Sequence, residues 1–394
     1  MDESKSKALV PFSISGKGIV EAGPRNIVAS MVTDALALAQ SQTKALAAAR
    51  FRIGAYEFCD ADYRQILIWA SELKTSPDQL IEVFLDAREK DLNFGYTVCF
   101  TVKDGHIDTL VWDFDCLPIE SFKWVDGLMI SYAYFTGKGN TTADLNLRLP
   151  FLEGLSCACL GLRKLDLSGV ERLAFLNCWD NHLQSLDLSK VPLLTLLSCE
   201  YNELGELDVS NLGQLHSLFC HGNSIAKVNL SKTPALSELY CSDNCLNAID
   251  LSNHANLRML YCDNNQLLKL DLSNVPLLDD LNCAGNSLTE VDLTNVPQLT
   301  QLDCSGNQLR QIDLSNVPKL GALLCANNKM DVLALKTAPL LVNLDCSGNQ
   351  LTDLDLSPVL GLEKLLCHDN KLTRFDISHN QKLSTISCRN NDLS

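Results

Sequence analysis

Cysteine recurs in this chain at a fixed spacing of 21 residues. From Cys178 the series runs Cys199, Cys220, Cys241, Cys262, Cys283, Cys304, Cys325, Cys346, Cys367 and Cys388, without insertion or deletion, and Cys157 stands one period upstream. Three residues after each cysteine from Cys178 onward comes an asparagine, Asn181 through Asn391. A period of this length confines the chain to a solenoid, in which each repeat is one supersecondary unit and neighbouring repeats share a core. Leu299–Lys319, LTQLDCSGNQLRQIDLSNVPK, is a typical copy.

The repeat has a physical reading. In LxxLxCxxN the second leucine and the cysteine alternate with outward positions, which is the period of a strand. The asparagine falls where the chain turns inward. There it is expected to accept from a backbone N–H and to donate to a carbonyl of the next coil, covering groups that a turn leaves unpaired. The second half, LxxLDLS, reads as another short extended run with an inward pair such as Leu186 and Leu188. An aspartate sits nine residues after the cysteine: Asp166, Asp187, Asp208, Asp250, Asp271, Asp292, Asp313, Asp355 and Asp376, with Asn229 and Ala334 breaking the series. Like charges at strand spacing repel. These acids are therefore expected to accept from the backbone or from the serine two residues on. A calcium role fits less well, since calcium repeats carry Gly-rich turns. Prolines such as Pro276 and Pro318 fall in the closing turn, where no strand hydrogen bond is needed.

The ladder cysteines read as stacked small hydrophobes. In-register strands roughly 4.8 Å apart bring their Cα atoms within disulfide range, but side chains projecting in parallel suit the S–S dihedral poorly. There is no CxxC pair and no Cys/His cluster with zinc spacing among the 17 cysteines and 7 histidines. No Gly-rich phosphate loop, HExxH or GxSxG occurs either. No cofactor, metal or catalytic residue is assigned from sequence. So many unpaired thiols point to a reducing compartment, the cytoplasm, or that of a host cell reached without a cleavable signal peptide. MDESKSKALVPFSISGKG lacks a basic and then apolar leader, and no run reaches the roughly 18 apolar residues of a membrane span. The net charge of −16, without basic clusters, argues against nucleic acid and anionic membranes as partners.

Residues 1–22 are polar and read as a flexible segment. Residues 23–140 read as a small α+β cap or adaptor domain. A first helix is expected from Pro24, with Ile27, Val28, Met31, Val32 and Leu36 on one face. Asp60 or Asp62 is expected to cap a second helix, and Ser76-Pro77 to open a third. Gly95–Val102 and Ile107–Phe114 read as strands around Asp104-Gly105, with a third strand over Leu128–Phe135. The enzymatic alternative in this region rests on Cys59 or Cys116 acting as a nucleophile with His106. The array occupies 141–394, with a worn half-repeat near Thr142 in which Asn146 aligns with Asp166, then a second imperfect unit opened by Cys157 in which Leu160 replaces the ladder asparagine.

The unit LxxLxCxxNxLxxLDLSxxxx resembles a bacterial leucine-rich repeat of the short, 21-residue class, with cysteine in a strand slot usually filled by leucine. The resemblance covers about 250 residues of the sequence. It implies an α/β-type solenoid, an arc with a parallel β-sheet on its concave face and a second extended segment on the convex side, here preceded by the α+β domain. It also implies a protein- or peptide-binding scaffold, since members include secreted effectors and surface proteins that contact host proteins.

On such a sheet the residues three before, one before and one after each cysteine face outward. Aromatic and apolar side chains crowd the first half of these columns: Phe175, Trp179, Phe219, Tyr240, Met259 and Tyr261, with His221 among them. Acids follow at Asp263, Asp280, Asp303 and Asp345. Aromatic residues are common interface anchors. This face is expected to take a protein or peptide, and a basic one suits it; the alternative is that the N-terminal domain folds back over the aromatics. A third reading is structural: an open last coil that exposes Ile386 and Leu393 offers a homodimer surface.

Overall fold

A computed structural model describes residues 51–53, 56–81, 99–103, 106–113, 128–137, 144–374 and 376–393. In the N-terminal part, β1 (Phe51–Ile53) and β2 (Tyr56–Phe58) form an antiparallel pair that leads into helix α1 (Asp60–Glu72). Strands β3 (Cys99–Lys103), β4 (His106–Asp113) and β5 (Tyr132–Thr136) follow. The cap of α1 differs from expectation. Cys59 is the N-cap and its sulfur accepts from the Asp62 backbone N–H, while the Asp62 carboxylate turns to the strand behind. Ser76 does open a helical turn over 77–81. Gln79 N–H donates to Ser76 Oγ at 3.1 Å and Ser76 N–H to Gln79 Oε1 at 3.2 Å, a reciprocal cap. The helix expected from Pro24 lies outside the described residues. The third strand begins later than the apolar run suggests; Leu128 and Ile130 are buried in an irregular lead-in.

The array begins with β6 (Asp144–Arg148), β7 (Gly154–Ser156), β8 (Lys164–Gly169) and β9 (Phe175–Asn177). It continues through β10 (Leu196–Ser198), β11 (Glu206–Asp208), β12 (Ser217–Phe219), β13 (Lys227–Asn229), β14 (Glu238–Tyr240) and β15 (Met259–Tyr261). Then come β16 (Asp280–Asn282), β17 (Gln301–Asp303), β18 (Ala322–Leu324), β19 (Asn343–Asp345), β20 (Lys364–Leu366) and β21 (Thr385–Ser387). A single sheet of 15 strands runs β21-β20-β19-β18-β17-β16-β15-β14-β12-β10-β9-β7-β5-β4-β3. From β4 to β21 its pairings are parallel; β3 and β4 alone form an antiparallel hairpin. The N-terminal hairpin thus prolongs the solenoid sheet at its end. At the junction Gly154 pairs with Tyr132, and a Cβ on Gly154 would lie 2.5 Å from Tyr132 Cδ1. Only a glycine leaves room for that ring.

Each coil surrounds an apolar core. In the copy 299–319 the buried apolar side chains are Leu299, Leu302, Cys304, Leu309, Ile312, Leu314 and Val317. The N-terminal core joins it, with Trp69 and Trp112 fully buried and their ring centroids 5.1 Å apart. The ladder cysteines from Cys157 to Cys367 are buried, Cys388 is half-buried, and all are free thiols. From Cys157 to Cys367 burial holds the thiols well above their ordinary range, so these are inert core atoms.

The asparagine ladder works as expected except for its direction. Asn307 Nδ2 donates to the Cys283 carbonyl of the preceding coil at 3.0 Å and to Cys304 of its own coil at 3.1 Å. Its Oδ1 accepts from Leu288 N–H of the preceding coil at 2.9 Å. The same triad of bonds recurs from Asn202 to Asn391. All nine convex aspartates accept from the N–H two residues on, as Asp313 does from Ser315 at 2.9 Å and Asp292 from Thr294. These bonds hold the carboxyls below the usual range. The second half-repeats form paired strands only at β6–β8 and β11–β13 among the described residues. Ile386 and Leu393 of the last coil are exposed, at 42% and 41%. No helix among the described residues is long and apolar enough to cross a membrane.

Candidate functional site

The outward columns of the sheet lie in register from β9 to β21, so each side chain stands against its counterpart on the next coil. Strand spacing in a parallel sheet is about 4.8 Å, close to the thickness of stacked rings. Phe219 and Tyr240 stack with centroids 4.8 Å apart at 26°, and Tyr240 and Tyr261 at 4.6 Å and 6°. The three rings form one ridge on β12, β14 and β15. Tyr240 Oη donates to Met259 Sδ at 3.3 Å, and Tyr261 Oη donates to Asp280 Oδ2 at 2.6 Å. The ridge is therefore fixed before any partner arrives, at low entropic cost to binding.

Stacking also hides what the sequence places outward. Phe175, Phe219 and Asp263 are buried; Trp179, His221, Tyr240, Met259, Tyr261, Asp280, Asp303 and Asp345 are half-buried. The acids continue from the ridge. Asp263 accepts from Ser242 Oγ, and Asp303 accepts from Ser305 N–H at 2.9 Å. Burial raises the carboxyls of Asp263, Asp280 and Asp303, and neighbouring acids add to the rise. Across the three columns from β9 to β19 there are six carboxylates, Glu200, Glu238, Asp263, Asp280, Asp303 and Asp345, and neither lysine nor arginine; Lys364 on β20 is the first cation. Partly desolvated acids without countercharge attract a cation more strongly than solvated ones do.

Two residues escape a sequence reading of the site. Glu200 is fully buried beside the ridge; Oε2 accepts from Ser198 Oγ at 2.5 Å, and Oε1 has no hydrogen-bond partner. Burial lifts its carboxyl to about 7. Next to it, burial lowers the His221 imidazole to about 4, so it is neutral near neutrality. Tyr201 is the second. The residue two after each ladder cysteine has positive φ, and from Cys178 to Cys388 that position is Asp, Asn or Gly in every coil except this one, where Tyr201 has φ 50°. A bulky residue there is strained. Tyr201 is 46% exposed and meets the His221 ring edge-on at 5.1 Å, above Gly222. The sequence signal was an aromatic in a column of turn-formers.

The N-terminal candidates divide. Cys116 lies outside the described residues. Cys59 and His106, 47 positions apart, meet with Sγ 3.1 Å from Nδ1. The thiol also donates to Asp62 Oδ2 at 3.0 Å. Burial and that carboxylate push the Cys59 thiol up to about 11, the opposite of what an activated nucleophile needs.

Among solved structures, the chain resembles the functional domain of InlJ from Listeria monocytogenes, described as including a cysteine ladder. The identity is 34%, over 72% of this chain and 68% of that one, with a TM-score of 0.64. A leucine-rich repeat protein of Leptospira interrogans matches at 19% identity over 80% and 94% of the two chains, with a TM-score of 0.62. YopM of Yersinia pestis, described as a leucine-rich effector protein, matches at 20% over 83% and 98%, with a TM-score of 0.56. The latter two share the fold. No protein-family model and no curated protein matches the sequence.

Proposed function

The chain belongs to the bacterial leucine-rich repeat proteins, and we propose that it is a binding scaffold whose sheet face from β9 to β19 holds a basic protein or peptide segment. One observation carries this reading: a preformed ridge of three stacked rings lies beside six carboxylates, on a face with no lysine or arginine. The ridge supplies rigid apolar area. The carboxylates supply attraction and orientation, chiefly through the association rate. Tyr201, held in a strained conformation at the margin, extends the aromatic surface. Partners of this kind include host proteins, if the chain is delivered to a host cell; its free thiols fit a reducing compartment there or in the producing cell.

The test is the double substitution Tyr240→Asp with Tyr261→Asp. It puts two more charges on the ridge and leaves every ladder leucine, cysteine and asparagine in place. Capture of a basic partner should be lost with the circular dichroism spectrum unchanged. Undiminished capture by the folded double variant would place the binding surface elsewhere.

A further inference from the structure

We infer that Cys59, Asp62 and His106 form a mononuclear site for a zinc-class divalent cation, at the point where α1 meets β4. This inference is independent of the peptide-binding reading. The three donor atoms make a closed triangle: Cys59 Sγ to His106 Nδ1 3.1 Å, Cys59 Sγ to Asp62 Oδ2 3.0 Å, and His106 Nδ1 to Asp62 Oδ2 3.3 Å. Tetrahedral zinc, with Zn–S about 2.3 Å and Zn–N or Zn–O about 2.0 Å, sets such ligand atoms about 3.3–3.6 Å apart. Opening the triangle by a few tenths of an ångström makes it one face of a zinc tetrahedron. Thiolate, imidazole and carboxylate are a donor set suited to this metal.

The surroundings of the triangle hold the ligands in place. Asp62 is fully buried, and the Ile107 backbone N–H donates to its Oδ2 at 3.0 Å, tying the carboxylate to the strand that carries His106. Its Oδ1 is buried and has no hydrogen-bond partner. An orphaned buried carboxylate oxygen is costly, and a cation beside it relieves that cost. Cys59 sits at the N-terminus of the 13-residue helix α1, where the Asp62 N–H points at its sulfur at 3.5 Å. This end of the helix favours a thiolate. Without a cation, a thiolate and a carboxylate in contact repel, and the proton stays on sulfur. With the cation, Cys59 Sγ–H gives its proton to solvent, the thiolate and Asp62 both bind as anions, and His106 binds through neutral Nδ1. His106 keeps 28% of its side chain exposed, which gives an entry path. Three protein ligands leave a fourth position for water or a small ligand, the coordination of catalytic rather than structural zinc sites. Sequence spacing conceals this set because α1 and β4 supply it from distant positions.

The experiment uses the full chain, stripped of metal and titrated with cobalt(II) as a spectroscopic stand-in for zinc. A tetrahedral site with one thiolate gives a sulfur-to-cobalt charge-transfer band in the near ultraviolet, saturating at a single equivalent. Cys59→Ser and His106→Ala should abolish the band, and Cys245→Ser, at an exposed thiol outside the triangle, should leave it intact. In the unmodified chain, zinc should slow alkylation of Cys59 at least tenfold, mapped by peptide mass, and leave Cys245 unaffected. That second measurement stands even if a variant fails to fold. No charge-transfer band, a band that survives both substitutions, or zinc-independent alkylation of Cys59 would overturn the inference.

Discussion

At the scale of single residues, Tyr201 and Glu200 each carry a cost, one of backbone strain and one of a buried carboxyl. Tyr201 occupies a left-handed position that Asp, Asn or Gly fills in the other ten coils from Cys178 to Cys388. Tyr201→Asn should raise stability by about 1 kcal/mol, read from the denaturant midpoint, and weaken partner capture. A variant that gained stability with capture unchanged would make Tyr201 an accident of drift. Glu200 has a pH signature. Its folded value, about 7, lies above that of an unfolded glutamate. Between the two the folded chain holds a proton that the unfolded chain releases, so this contribution to stability falls as pH rises through the window. His221, lowered to about 4, gives the opposite slope below its unfolded value. Subtracting the Glu200→Gln profile from that of the parent chain isolates the glutamate. Above pH 7 Glu200→Gln should be the more stable protein by up to about 3 kcal/mol, and coincident profiles would refute the buried charge.

At the scale of the coil, the ladder asparagines are structural. Each ladder carbonyl from Cys178 to Cys367 receives donors from two asparagines; Cys304 O, for example, is bonded by Asn307 and by Asn328. Asn307→Leu thus leaves the carbonyls covered and orphans the Leu288 N–H. The cost should be about 2–3 kcal/mol, measured by chemical denaturation, with binding at Tyr240 unchanged in the folded fraction. The coil was legible in the sequence because its requirements repeat: leucine and cysteine inward, asparagine at the turn, aspartate bonding two residues on. Its outward columns were legible as positions and misleading as exposure. Phe175 and Phe219 point away from the core by strand alternation and are still buried, Phe219 under the stacked ring of Tyr240. The helix cap at Cys59 was missed because aspartate is the better capping residue by type, and only the fold shows that Asp62 is committed to the Ile107 N–H.

At the scale of the molecule, one sheet runs unbroken from the N-terminal hairpin to β21. The strands β3, β4 and β5 extend that sheet at its end, and Gly154 makes the junction close. The Cys59–Asp62–His106 triangle lies in this N-terminal part, on α1 and β4, whereas the aromatic ridge lies on β12, β14 and β15. The ridge was already legible in the 21-residue columns; of the triangle only Cys59 and His106 were, as a nucleophile pair 47 residues apart, and Asp62 joins them only in the fold. On the function proposed above, the ridge and its carboxylates recognise a basic segment. A displayed library of random peptides, selected on the immobilised full chain, tests it most directly. Lysine- and arginine-rich peptides that also carry apolar side chains should be enriched, should elute at raised salt, and should be lost from the Tyr240→Asp, Tyr261→Asp chain. Enrichment of acidic or uncharged peptides, or retention of the basic ones by the double variant, would contradict it.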